Sequence, residues 1–128
     1  MIYVDSSIAL AWLLAEDRSP SPALWRERLI SSRLLQFEVW VRIHARGLTH
    51  SHSQLVELLL KRVSLLEMAV PVLARALHPF PKPVRTLDAL HLASADFLRA
   101  RGEPVVIASY DGRLVETAQL MGFSLAEV

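Results

Sequence analysis

Short apolar strands alternating with longer helical segments predict an α/β fold: a short, mostly parallel central sheet flanked by helices. Two observations carry this reading. Ile2-Tyr3-Val4 and Pro104 to Ala108 are continuously apolar and too short for helices, as expected of strands covered on both faces. Between and after them run helix-length segments bounded by capping residues, prolines and glycines. With 128 residues, the chain is expected to form one domain, residues 1–128, around a single core.

Taken in order, Met1 to Val4 is the first strand, and Ser6 to Ala15 is a helix apolar nearly all round, as for one packed on a sheet. Asp17 to Pro22 is a loop, and a helix is expected near Ala23 to Arg28. Leu29-Ile30-Ser31 forms a second strand. Ser32 then caps a helix running to about Arg46, with Gly47 as its stop. Ser51 or Ser53 opens a helix through Arg62. Val63 to Val70 reads either as a strand or as a helical continuation, with a strand at Leu65 to Met68 preferred. Pro71 suits a helix start, and His78 to Pro83 is an extended connector. Thr86 caps a helix from Leu87 to about Arg101, stopped by Gly102. Pro104 to Ala108 is a strand, Asp111 to Met121 a helix closed by Gly122, and Phe123 to Ala126 a last edge strand.

Composition excludes several classes of function. Without cysteine, disulfides, thiolate metal sites and cysteine nucleophiles are ruled out. No uncharged stretch approaches the roughly 18 residues of a membrane span. Asp5 interrupts the first apolar run, so no signal peptide is expected and the protein is read as soluble and cytoplasmic. Four glycines, none in a phosphate-loop pattern, exclude a nucleotide-binding loop of that kind. The net charge is only +1, but the cations are mostly arginine, with Lys61 and Lys82 the only lysines. Arginine suits phosphate recognition, although a codon bias explains the same composition.

Four acids carry the chemical signal: Asp5, Glu38, Asp88 and Asp111. Asp5 and Asp111 each follow a predicted strand, where α/β sheets bind ligands. Both also fit a plain N-cap role. Asp88 falls in the first turn of its helix, among apolar neighbours that leave little solvated face. Glu38 lies within Leu34-Leu35-Gln36-Phe37-Glu38-Val39-Trp40-Val41. Its alternative is a surface pair with Arg42, one turn on; the apolar residues around it argue against that. Converging carboxylates repel one another and take up protons unless a cation joins them. Hard oxygen donors without Cys or clustered His favour Mg²⁺ or Mn²⁺ over zinc. Asp96, two turns beyond Asp88, is expected on the surface. His50 and His52 read as loop residues, and His91 as a satisfied core histidine.

The segments Tyr3-Val4-Asp5-Ser6-Ser7-Ile8-Ala9-Leu10, Arg85-Thr86-Leu87-Asp88-Ala89-Leu90-His91-Leu92-Ala93-Ser94-Ala95 and Ser109-Tyr110-Asp111-Gly112-Arg113-Leu114, with the helix glutamate between them, resemble PIN-domain ribonucleases. The likeness is to the VapC toxins of bacterial toxin–antitoxin pairs. It covers essentially the whole chain in the right order, and Arg85 to Ala95 is its most specific part. The resemblance implies a metal-dependent endoribonuclease in which Asp5, Glu38, Asp88 and Asp111 surround Mg²⁺ or Mn²⁺. Ser109, in a small-hydroxyl position two residues before the last acid, and Ser6, beside Asp5, would support them. Ser6-Ser7 replaces the Thr or Asn usual after the first Asp. The resemblance also implies an RNA substrate, a cognate antitoxin protein and a homodimer. The three tryptophans, Trp12, Trp25 and Trp40, are expected in the core first and at interfaces second. Arg42, Arg46, Arg85 and Arg113 are candidates for contacting RNA.

Two other readings compete. A non-catalytic PIN-like module that binds RNA or protein would have no need of four converging acids. A phosphotransferase with Asp5 as nucleophile fails on its neighbours: Ser7 stands where haloacid-dehalogenase-like enzymes carry a second Asp, and receiver domains need an acidic pair and a late lysine that are missing.

Overall fold

The computed structural model describes residues 1–128. Every strand of its five-stranded sheet is parallel to its neighbours. β1 (Ile2–Val4) is central, with β2 (Leu29–Ser32) and β3 (Ser64–Leu66) on one side and β4 (Val106–Ala108) and β5 (Ser124–Leu125) on the other. In the order β3-β2-β1-β4-β5, the direction of winding reverses between β1 and β4. That reversal leaves a crevice outside the carboxyl ends of those two strands.

Alternation along each strand divides the core in two. Tyr3 and Ile107 are register partners and face one layer; Val4 and Ala108 are partners and face the other. The Val4 side is covered by α1 (Ser6–Leu13), α2 (Leu34–Ala45) and α3 (Thr49–Arg62), through Ile8, Leu35, Val39, Ile43 and Val56, all fully buried. The Tyr3 side is covered by α5 (Thr86–Ala100) and α6 (Gly112–Leu120), through Leu92, Ala95, Leu114 and Ala118. α4 (Val70–Ala76) packs on α5. The α/β fold with a parallel sheet is therefore the one expected, and no helix is long and apolar enough to cross a membrane.

Element boundaries depart from expectation where tertiary pairing outweighs local preference. α1 ends at Leu13 because Ala15 turns left-handed at φ 48°, which brings Glu16 N–H within 3.0 Å of the Ala11 carbonyl. The helix expected near Ala23 to Arg28 is a 3₁₀ stretch, Pro22–Arg26, cut short because Leu29 must already pair with β1. Ser32 does accept from Leu34 N–H at 3.1 Å, but Arg33 intervenes before α2. α3 begins at Thr49, before either serine, and the Thr49 hydroxyl bonds His44 at the preceding helix end (2.7 Å). β3 stops at Leu66, where its pairing partner Ser32 ends β2, so Glu67 and Met68 are not strand. β4 begins only at Val106, whose N–H donates to Met1; Pro104 has no N–H to give. Thr86 is the first residue of α5 rather than its cap, and no side chain caps that helix. Gly102 and Gly122 close α5 and α6 at φ +89° and +88°, a conformation that disfavours other residues.

Candidate active site

The two acids that follow strands are held by the turns they begin. Asp5, 4% exposed, is the N-cap of α1: its Oδ1 accepts from the backbone of Ser7 (3.1 Å) and Ile8 (3.4 Å) and from the Ser7 hydroxyl (2.5 Å). Its Oδ2 accepts from the Ser109 hydroxyl, also at 2.5 Å. The two serines in turn accept from the β4–α6 loop, Ser7 from Tyr110 N–H (2.8 Å) and Ser109 from Asp111 N–H (2.9 Å). A hydroxyl has one proton. Both protons are committed to Asp5, so the 3.3 Å approach between the serines is packing, not a further bond. Burial pushes the Asp5 carboxyl up, against the lowering effect of Ser109 and Ser7.

Asp111 caps α6 through Oδ1, which accepts from Arg113 N–H (3.0 Å) and Leu114 N–H (3.4 Å). Its Oδ2 lies 3.2 Å from Arg85. The same guanidinium reaches Asp88 at 3.4 Å, so Arg85 bridges two acids from different elements. Burial and then the charge of Asp111 push the Asp88 carboxyl up, with Arg85 opposing. At Asp5 and at Asp111 the expected N-cap is formed, and both carboxylates also lie at the same cleft.

Glu38 points inward from α2. Ser6 donates to its Oε2 (2.9 Å), and His91 Nε2 lies 2.5 Å from its Oε1. The surface pair with Arg42 is not formed. Only some of the apolar neighbours are buried: Leu35 and Val39 are in the core, whereas Phe37 is 61% and Val41 66% exposed. What turns Glu38 inward is its two polar partners.

Asp5, Glu38, Asp88 and Asp111 line one cleft of about 620 Å³ at the carboxyl edge of β1 and β4. They are not closed into a cage, since no three acidic or histidine side chains meet as tightly as ligands on one ion. The donor set is nonetheless all hard oxygen, and the repulsion from Asp111 that adds to burial in raising Asp88 is the kind a divalent cation relieves. On chemistry, the residues fit such an ion.

Ser109 is where it was expected, supporting Asp5. Ser6 serves Glu38 instead, and Ser7 takes the place beside Asp5; the side chain two residues after an N-cap aspartate folds back onto it. His91 is a satisfied core histidine, 2% exposed, but one of its partners is a site acid. Neither role had a local signal beyond the residue type. Arg42 and Arg85 line the cleft, Arg113 an adjoining recess, and Arg46 neither. Arg18, unremarked in the sequence, joins the mouth by lying over the Tyr110 ring at 4.4 Å. Asp96 does not extend the acidic edge; it is clasped by Arg75 and Arg99. The tryptophans are core-facing: Trp12, Trp25 and Trp40 pack against the larger apolar cluster.

Residues 2–120 match the family model for the PIN domain. Among curated proteins, the chain is similar to Ribonuclease VapC47 of Mycobacterium tuberculosis (strain CDC 1551 / Oshkosh), 29% identical over 133 residues, covering 98% of this chain and 96% of the relative. It is also similar to Ribonuclease VapC35 of the same strain, 28% identical over 131 residues, covering 98% and 95%.

Proposed function

This chain belongs to the PIN-domain family, and from that premise we propose that it is a metal-dependent endoribonuclease acting as the toxin of a type II toxin–antitoxin pair. The observation that carries the reading is the convergence of four carboxylates, from four separate elements, on one cleft whose mouth is arginine-lined. Asp5 and Asp111 serve the fold as helix caps, but capping does not require four acids to face one cleft, where their mutual repulsion costs stability. The two relatives named ribonucleases match over nearly their full length.

Asp5, Glu38, Asp88 and Asp111 would hold Mg²⁺ or Mn²⁺, the hard cations that suit an all-oxygen set. When bound, such an ion neutralises charge on the scissile phosphate and makes water more acidic. The protein contributes the rest. Asp5, fixed by Ser7 and Ser109, is the rigid member of the set. Asp88 or Glu38 takes the proton of the water that attacks phosphorus. Breaking the bond from phosphorus to the 3′ oxygen then leaves 5′-phosphate and 3′-hydroxyl ends. Arg18, Arg42 and Arg85 face the backbone phosphates, which positions RNA without reading its bases.

An antitoxin protein and a second copy of the chain are the partners in this reading. Exposed apolar surface supports them: a recess of about 460 Å³ beside Trp12, Trp25 and Leu58, and Val70, Leu73 and Leu77 along α4.

The test is cleavage of a mixed structured-RNA pool by antitoxin-free protein in Mg²⁺, Mn²⁺ or EDTA, beside Asp88→Asn. Cleavage is expected with metal only and is lost in the variant. Saturating Mn²⁺, at a hundred times its Kd, should also stabilise the wild type by about 2.7 kcal/mol. A folded protein that neither cleaves nor binds the ion would instead be a PIN-like binding module.

A further inference from the structure

Both oxygens of Glu38 are engaged by side chains distant in sequence, Ser6 at the start of α1 and His91 in the middle of α5. His91 is itself anchored. Its Nδ1 lies 2.8 Å from the Tyr3 hydroxyl, inside the α5–α6 layer of the core, with the two rings edge to face at 5.8 Å. A line of contact therefore runs from the centre of the sheet, through an imidazole, to a carboxylate in the cleft.

The protons along this line have one consistent arrangement in the neutral ring. An ionised carboxylate only accepts, so His91 Nε2 must carry the hydrogen that Glu38 receives. Nδ1 is then a lone pair, and the Tyr3 hydroxyl supplies the matching donor. Burial, which pushes the Tyr3 phenol up, keeps that donor protonated. The Glu38 carboxylate thus selects the Nε2–H tautomer, and Tyr3 holds that ring in place by donating to its free Nδ1.

We propose that His91 is a positioning residue for Glu38, an imidazole fixed by Tyr3 that sets how the Glu38 carboxylate is presented to the cleft. The inference rests on the functional reading above, since it gives Glu38's orientation a use. It goes further by assigning His91 and Tyr3 work in the site although neither would touch RNA. A buried ring N–H needs an acceptor whatever its role; what ties His91 to the site is that its acceptor is a cleft acid rather than a core carbonyl.

Substitutions separate the two halves of the contact. In His91→Gln the amide nitrogen stands near the Nε2 position and still donates to Glu38. In His91→Asn the amide reaches only the Nδ1 position, keeping Tyr3 and losing Glu38. Tyr3→Phe leaves Nδ1 without its donor, so the ring is held at the Glu38 end alone.

The experiment combines ring ¹⁵N NMR, Mn²⁺ calorimetry and cleavage kinetics on the full chain. Wild type should show a single Nε2–H tautomer whose Nε2 resonance moves in Glu38→Gln, and Tyr3→Phe should move the Nδ1 resonance while keeping Nε2–H. His91→Asn should bind Mn²⁺ about 10–100-fold more weakly and lose kcat in proportion, with KM for RNA unchanged; outer-shell partners of metal ligands act on that scale. His91→Gln should recover most of both losses. A folded His91→Asn that binds and cleaves like wild type overturns the proposal, as does a His91→Gln no better than His91→Asn. If His91→Asn does not fold, a wild-type ring without Nε2–H, or one indifferent to Glu38→Gln, overturns it. Wild type that binds no Mn²⁺ and cleaves nothing, while the ring signal behaves as expected, overturns the functional reading and leaves the contact itself standing.

Discussion

Replacing Asp5 in two ways should separate its service to the fold from its service to the site. Asp5→Asn keeps a good N-cap, because asparagine and aspartate are nearly equal in that position. The amide oxygen still accepts from Ser7 and Ile8, and the Ser109 hydroxyl can rotate to accept from the amide nitrogen instead of donating to Oδ2. It also removes a buried charge. Burial raises the Asp5 carboxyl pKa, so the folded state holds that proton more tightly than the unfolded chain. Its contribution to stability is fully present below the ordinary carboxylate pKa and is lost as pH rises through the raised folded value. At pH 7 the ionised group is a net cost, and Asp5→Asn should melt at or above the wild-type temperature. Asp5→Ala keeps nothing. The lost cap costs about 1 kcal/mol, and the orphaned Ser7 and Ser109 hydroxyls add about 1–3 kcal/mol. For a domain of this length, a total of about 2–4 kcal/mol lowers Tm by roughly 7–15 °C. Both variants should lose cleavage and Mn²⁺ binding. Calorimetric melts at pH 7 without metal decide the matter: an Asp5→Asn that melts as low as Asp5→Ala, or one that still cleaves RNA, refutes the assignment.

Two further outcomes are expected. Arg85 is 65% exposed and spans Asp88 and Asp111, so its bridge is worth at most about 1 kcal/mol. Arg85→Ala should leave Tm nearly unchanged and tighten Mn²⁺ binding by up to about fivefold, because the guanidinium no longer competes for the acids. It should also weaken RNA binding and reduce the slope of log K against log salt by up to about 1; weaker Mn²⁺ binding would contradict this account. Asp96 gives a pH signature remote from the cleft. Burial pushes its carboxyl up, but Arg75 and Arg99, each at 2.7 Å, outweigh burial and hold it below the ordinary range. Its contribution is present above the unfolded carboxylate pKa of about 3.9 and is lost as pH falls through the depressed value. Discounted for partial exposure, that is about 1 kcal/mol. Urea melts from pH 3 to 7 should show Asp96→Asn weaker at neutral pH and converging on wild type in acid.

Local pattern reached far along this chain because its signals are local. Apolar runs such as Ile2 to Val4 and Val105 to Ala108 can be buried on both faces in only a few ways. The acids that follow strands begin turns, and a turn needs a capping group whatever else it does, so Asp5 and Asp111 were legible twice over. Boundaries were less so. The ends of β3 and β4 are set by where partner strands run out, a fact held in Ser32 and Met1 rather than in the segments themselves.

The residue types and their order along the chain were enough to determine the α/β class, the candidacy of Asp5, Glu38, Asp88 and Asp111, and the hard-oxygen character of any ion they hold. Which side chain serves which acid was decided only by tertiary structure. Ser6 and Ser7 are adjacent and chemically identical, yet one turns to Glu38, 32 positions away, and the other to Asp5. His91 looks apolar in company but ends on a cleft acid, because α5 crosses the sheet where Tyr3 and Glu38 flank it. A hydrogen bond depends on distance and direction to a few tenths of an ångström. Periodicity predicts a face, and only the packed helices and strands place an atom that closely.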